Sequence, residues 1–138
     1  MISKAPIVVL LLYGLARIIT GAWHMFAPDG GAGTIAGIDL SFDGAALIAV
    51  FAWAGASQFA LGLLGVYVAL AARSLTAPFL LVGAVEQGLI ILNAWVLKPV
   101  IQSTGAVMPP ATYVGIAACL TLMAASVLAY RTGNATAE

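Results

Sequence analysis

Residues 75–97 read LTAPFLLVGAVEQGLIILNAWVL. Twenty-three residues with one formal charge, Glu86, exceed the roughly 20 apolar residues a helix needs to cross the hydrocarbon of a bilayer. Pro78 falls in the first turn, where a missing backbone N–H costs nothing, and Lys98 and Pro99 close the run. The stretch therefore reads as a transmembrane helix with a carboxyl group in its middle. Three further runs of the same kind surround it, over residues 5–26, 45–72 and 111–130. The first is closed by Pro28 and the cluster Gly30, Gly31, Gly33; the fourth is opened by Pro109 and Pro110. No proline falls in mid-span, so four largely unbroken helices are expected. The second run is longer than a bilayer requires, which implies tilt or an interfacial extension.

Composition agrees with this reading. Of 138 residues 63% are hydrophobic and 7% charged, against about a quarter charged in soluble domains, and the mean hydropathy is +1.11. Four spans use nearly the whole chain, so the expected fold class is all-α: a single transmembrane domain, residues 1–138, forming an integral membrane four-helix bundle with an outer loop over 27–44. Only Thr132 to Glu138 reads as a disordered tail. The net charge is zero and basic residues are neither clustered nor interleaved with aromatics, which removes the electrostatic basis for binding nucleic acid. One cysteine, Cys119, excludes an internal disulfide.

Lys4, Arg73 and Arg131 collect at one end of the spans, and Lys98 with Asp29, Asp39 and Asp43 at the other. The positive-inside rule then puts both termini in the cytoplasm, in a multi-pass protein of the inner (plasma) membrane. Asp29, Asp39 and Asp43 read as solvated loop groups and helix caps. The apolar Ile35, Ile38, Leu40 and Phe42 lead the outer loop to lie on the membrane surface or cap the helices.

Counting from the basic anchors gives depth. Arg17 follows Lys4 by 13 positions and Glu86 follows Arg73 by 13, so two opposite charges are expected at one level, roughly 20 Å along helices running the same way. A charge in hydrocarbon needs a partner, a watery cavity or a function, and an Arg17 to Glu86 contact would supply the first. His24 and Asn93, each 20 positions beyond its anchor, share a second level, and Gln58 lies 15 positions before Arg73 on the returning helix. Helical spacing puts Arg17, Thr20, Gly21 and His24 on one face of the first span, Gly55, Gln58, Gly62 and Gly65 on one face of the second, and Glu86, Ile90 and Asn93 on one face of the third. These faces are expected to point inward, with Ala117, Thr121 and Ala125 allowing close approach of the fourth. The candidate ligand-binding residues are Arg17, His24, Gln58, Glu86 and Asn93, near Trp23, Trp53 and Trp95.

Each has a plainer reading. Arg17 and Glu86 can be an internal brace, His24 part of an interfacial aromatic belt, Gln58 and Asn93 interhelical hydrogen-bonding groups, and Cys119 a small buried apolar residue. One histidine without cysteines or carboxylates at ligand spacing gives no metal site. CxxC, paired histidines, a nucleophile elbow and a phosphate loop are all missing, so no catalytic residue is assigned, no cofactor is identified, and enzymatic activity stays open.

Two runs carry a resemblance. RIITGAWHMFAP, Arg17 to Pro28, resembles the end of the first helix of DoxX-like four-helix bacterial membrane proteins, or of a related four-helix family, in its order of arginine, glycine, histidine or lysine, and proline. AGASQFALGLLGVY, Ala54 to Tyr67, is similar to that family's second helix, with Gln58 where the family usually has an acid. The resemblance implies membrane partners of thiol and sulfur redox enzymes, among them a subunit passing electrons from thiosulfate to quinone. The first expectation is thus an accessory or small-molecule-binding subunit of a redox system, holding a quinone-like or lipid ligand among the polar side chains. The alternatives are a structural or assembly subunit of a larger membrane complex, packed against other membrane proteins or its own copies, and a proton-coupled carrier using Glu86, which the lack of inverted repeats disfavours.

Overall fold

The computed structural model describes residues 3–98 and 110–134. Within them the chain is all-helical, without a strand. Helix α1 spans Lys4–Phe26, α2 Gly44–Ala71, α3 Thr76–Leu92 and α4 Pro110–Asn134. A 3₁₀ turn, Arg73–Leu75, leads into α3, and a π turn, Asn93–Leu97, ends it. Four segments, Lys4–Phe26, Gly44–Ala71, Arg73–Leu97 and Tyr113–Gly133, are long and apolar enough to cross a membrane, as expected of a multi-pass membrane protein and consistent with a helical bundle.

Two details differ from the sequence reading. The third span does not stay α-helical to Leu97: its last five residues widen into the π turn, in which the Lys98 amide donates to the Asn93 carbonyl at 2.8 Å. Thr132 to Asn134, expected in a disordered tail, are helical, because α4 continues to Asn134. There the Thr132 hydroxyl donates to the Leu128 carbonyl at 2.9 Å. Pro99, Pro109 and residues 135–138, read above as span ends and tail, lie outside the described residues.

The chain forms two compact units, Met1–Leu11 with Tyr67–Glu138, and Leu12–Val66. In the first, α3 and α4 pack along their length. The buried stripe of α3 is Thr76, Leu80, Gly83, Ala84 and Gln87, spaced by three and four residues. Leu122, Ala125, Ser126 and Ala129 are its counterparts on α4. Polar bonds cross this interface, the Ser126 hydroxyl donating to the Ala77 carbonyl at 2.8 Å and the Cys119 thiol to the Ala84 carbonyl at 3.3 Å. Near the N-terminus, the Ser3 amide donates to Thr132 Oγ1 at 3.2 Å, setting the first turn of α1 beside the last of α4.

The second unit is an antiparallel helix pair, the remainder of α1 against most of α2, joined by residues 27–43. Glycine makes its close approach possible. A Cβ added to Gly21 would stand 2.6 Å from the Gly55 carbonyl oxygen, and one added to Gly55 2.8 Å from the Gly21 oxygen; Gly14 and Gly62 repeat the arrangement at 3.0 and 2.7 Å. Each glycine Cα–H therefore points at its partner's carbonyl, a weak hydrogen bond recurring where helices touch. The seven-residue spacing, Gly14 to Gly21 and Gly55 to Gly62, returns the contact to one face after two turns.

Candidate functional site

Arg17, His24 and Gln58 belong to the glycine-paired unit, and Glu86 and Asn93 to the other. In the glycine-paired unit the packing of Gly14 on Gly62 and Gly21 on Gly55 fixes the register, which sets Gln58 within about one helical turn of the level of Arg17. Both side chains are half-buried. Gln58 Oε1 is buried and has no hydrogen-bond partner among the described residues. An amide oxygen in that condition has lost water without replacing it, which costs on the order of 1–3 kcal/mol. Thr20, expected on the same face, is exposed, and its hydroxyl donates to the Ala16 carbonyl of its own helix at 2.9 Å.

His24 ties α1 to the connection that follows. Its Nδ1 pairs with the Gly30 carbonyl at 2.5 Å. A carbonyl only accepts, so Nδ1 carries the proton and Nε2 is left as the other ring nitrogen, an acceptor in the neutral ring. The ring meets Phe51 of α2 edge to face, with centroids 5.4 Å apart, and its Cβ occupies the space a side chain at Gly55 would need. Trp23 and Phe26 beside it are exposed, at 50% and 76%, so the aromatic neighbours face outward while His24 turns towards the loop.

The loop is ordered by short-range polar contacts. Gly30 and Gly31 take left-handed φ values of 59° and 76°, a conformation open to glycine at little cost. The Asp29 carboxylate accepts the Gly31 amide at 2.9 Å, the Thr34 amide at 2.7 Å and the Thr34 hydroxyl at 3.3 Å. The Thr34 and Gly31 amides hold its carboxyl below the ordinary aspartate range. Asp39 is lowered likewise by the Ser41 amide and hydroxyl. These two close turns, while Asp43, with φ of 53°, precedes the first residue of α2 and accepts the Ala46 and Leu47 amides on its carbonyl. Trp23 and Ile35 close over Gly31, and Gly30, Gly31 and Ala32 are buried, so the loop folds back onto its own helices.

In the other unit the expected inward face of α3 is rotated. Glu86 is half-buried, Ile90 is 41% exposed, and Asn93 is exposed with its amide donating to the Leu89 carbonyl one turn back at 2.9 Å. The buried polar residue beside it is Gln87, 8% exposed, whose Oε1 faces Gly115 of α4. The offset of one residue, Gln87 for Glu86, puts the uncharged amide at the helix interface, where its desolvation is cheaper. Thr121 and Ala117 are likewise exposed and bonded to each other within α4, so of the expected small face only Ala125 is buried. Cys119 is half-buried, as its hydrogen bond to α3 requires.

Gly14, Gln87 and Ser126 escaped the sequence reading. The matching seven-residue glycine spacings were a signal for the first; a single Gln or Ser in an apolar run offers none. Among the described residues no three His, Cys, Asp or Glu side chains gather as a metal site would need. No protein-family model, curated protein or solved structure matches this chain.

Proposed function

We propose that this chain is an accessory subunit of a redox system in the inner membrane, with both termini cytoplasmic, and that it holds a small amphipathic molecule, quinone-like or lipid, on the polar face of the α1–α2 pair. The observation that carries the proposal is the buried, unpartnered Gln58 Oε1. A ligand hydroxyl, as on a quinol ring or a lipid glycerol, would satisfy it and recover the cost of desolvation. Arg17, half-buried and within a turn in level, brings a positive charge to the same unit. His24 is positioned by Gly30 and Phe51.

The redox association is supported by the resemblance of residues 17–28 and 54–67 to DoxX-like helices, with Gln58 in the acid's place. An amide there suits binding without proton transfer, so no chemistry is assigned to the chain alone. Lys4, Arg73 and Arg131 at one end of the spans support the orientation. Glu86 and Asn93 belong to the other unit and are not part of this proposed site.

Mild-detergent purification from native membrane, followed by solvent extraction and mass spectrometry, tests the proposal. A hydroxyl-bearing amphiphile in near-stoichiometric amount, lost from the Gln58→Leu protein, is the expected result, together with co-purifying redox partners. An extract containing only bulk lipid in proportion to the membrane, equal for both proteins, would instead favour a structural subunit.

A further inference from the structure

A second groove lies wholly within the other unit, where α3 begins and α4 ends. Its volume is about 560 Å³, and Pro78, Leu81, Met123 and Val127 form its apolar walls. Ser126, whose hydroxyl is engaged by the Ala77 carbonyl, presents no free polar group to it. The groove runs from Leu81 and Met123 to Arg131, eight residues along α4, about 12 Å, against ~15 Å of hydrocarbon in one leaflet. Arg131 is the only charged lining residue, and Tyr130 stands next to it.

More positive charge gathers at the same end. Arg73 lies in the turn that opens α3, four residues before Ala77, and is exposed. Lys4 follows Ser3, whose amide donates to Thr132, the neighbour of Arg131. Three of the chain's five basic residues, Arg131 in the groove wall and Arg73 and Lys4 near it in the chain, therefore lie at the end of the unit where the groove's polar mouth is. An apolar trough one leaflet deep, ending in a tyrosine and a cluster of cations, has the complementarity of one molecule type, a phospholipid with a negatively charged headgroup. We infer that this groove is a specific site for an anionic phospholipid, its acyl chain between Leu81 and Met123 and its phosphate at Arg131, with Arg73 and Lys4 adding to the attraction. The inference rests on the four helices being membrane spans and is independent of the ligand proposed at Gln58.

The test uses the full-length protein in nanodiscs of mixed phosphatidylglycerol and phosphatidylcholine, with a photoactivatable diazirine in the acyl chain of one lipid or the other. Cross-links mapped by mass spectrometry should concentrate on the segments holding Leu81, Met123 and Val127. Labelling there should favour phosphatidylglycerol, with about a fivefold gain for each cation engaged. Arg131→Gln should reduce that preference about fivefold while leaving thermal stability unchanged. Leu81→Trp, which fills the groove with every cation in place, should remove the labelling of Met123 and Val127. Labelling spread evenly over outward-facing residues of all four helices, or equal labelling of the groove by both lipids, would reduce the site to ordinary boundary lipid and overturn the inference.

Discussion

Gly21 and Gly55 lie so close across the α1–α2 interface that a Cβ on either would stand within 3 Å of the other's carbonyl oxygen. Backbone atoms cannot swing aside as a side-chain tip can, so the helices themselves would have to separate. Everything the pair positions, His24 against Phe51 and Gln58 at the level of Arg17, depends on that approach.

Gly55→Ala should therefore lower stability by roughly 1–3 kcal/mol through overpacking, read as a fall in the thermal midpoint of the detergent-solubilised protein. Gly88→Ala supplies the opposite sign. The nearest atom to a Cβ there is Cys119 Sγ at 3.9 Å, so the methyl fits and the gain in helix propensity, up to about 1 kcal/mol, should raise the midpoint.

The loop should be sensitive to acid through Asp29. Its carboxyl in the folded protein titrates below the ordinary value of 3.8 because the Thr34 and Gly31 amides favour the ionised form. A group depressed on folding contributes stability that is present above its unfolded pKa and lost as pH falls through the folded one. Trp23 packs on Gly31, so its fluorescence, with Trp53 and Trp95 replaced by Phe, should report loosening of the loop below about pH 3.8. In Asp29→Asn the signal should be loosened at neutral pH and flat through this acid range.

Thr76 is completely buried, and its hydroxyl oxygen has no hydrogen-bond partner among the described residues. Thr76→Val keeps the shape and removes the unsatisfied group. Stability should hold or rise by about 1 kcal/mol, where a hydroxyl with a hidden functional or structural partner would make the same change costly.

The four long apolar helices were legible because their signal is additive over some twenty residues. The stripe Gly55, Gly62, Gly65 was legible too, since small residues in an apolar helix have few uses beyond close packing. Inward faces of α3 and α4 were read less well. There the expected stripe followed the charged residue, Glu86, whereas the helices pack on Leu80, Gly83, Ala84 and Gln87. In an almost uniformly apolar helix periodicity carries little information, because lipid-facing and buried positions have the same hydrophobicity. Polar residues also find partners on their own backbone, as Thr20, Asn93 and Thr121 do, so polarity alone does not mark an interior face.

The central claim is a binding site for a hydroxyl-bearing amphiphile at Gln58. Its most direct test is titration of the detergent-solubilised protein with a short-chain benzoquinol, followed through Trp23 fluorescence in the background lacking Trp53 and Trp95. Quenching should saturate, and Gln58→Leu, whose thermal midpoint should hold or rise because the unsatisfied oxygen is gone, should weaken the apparent affinity about tenfold, the value of one lost hydrogen bond in a buried site. Quenching that rises linearly with quinol and is identical in the two proteins would contradict the claim.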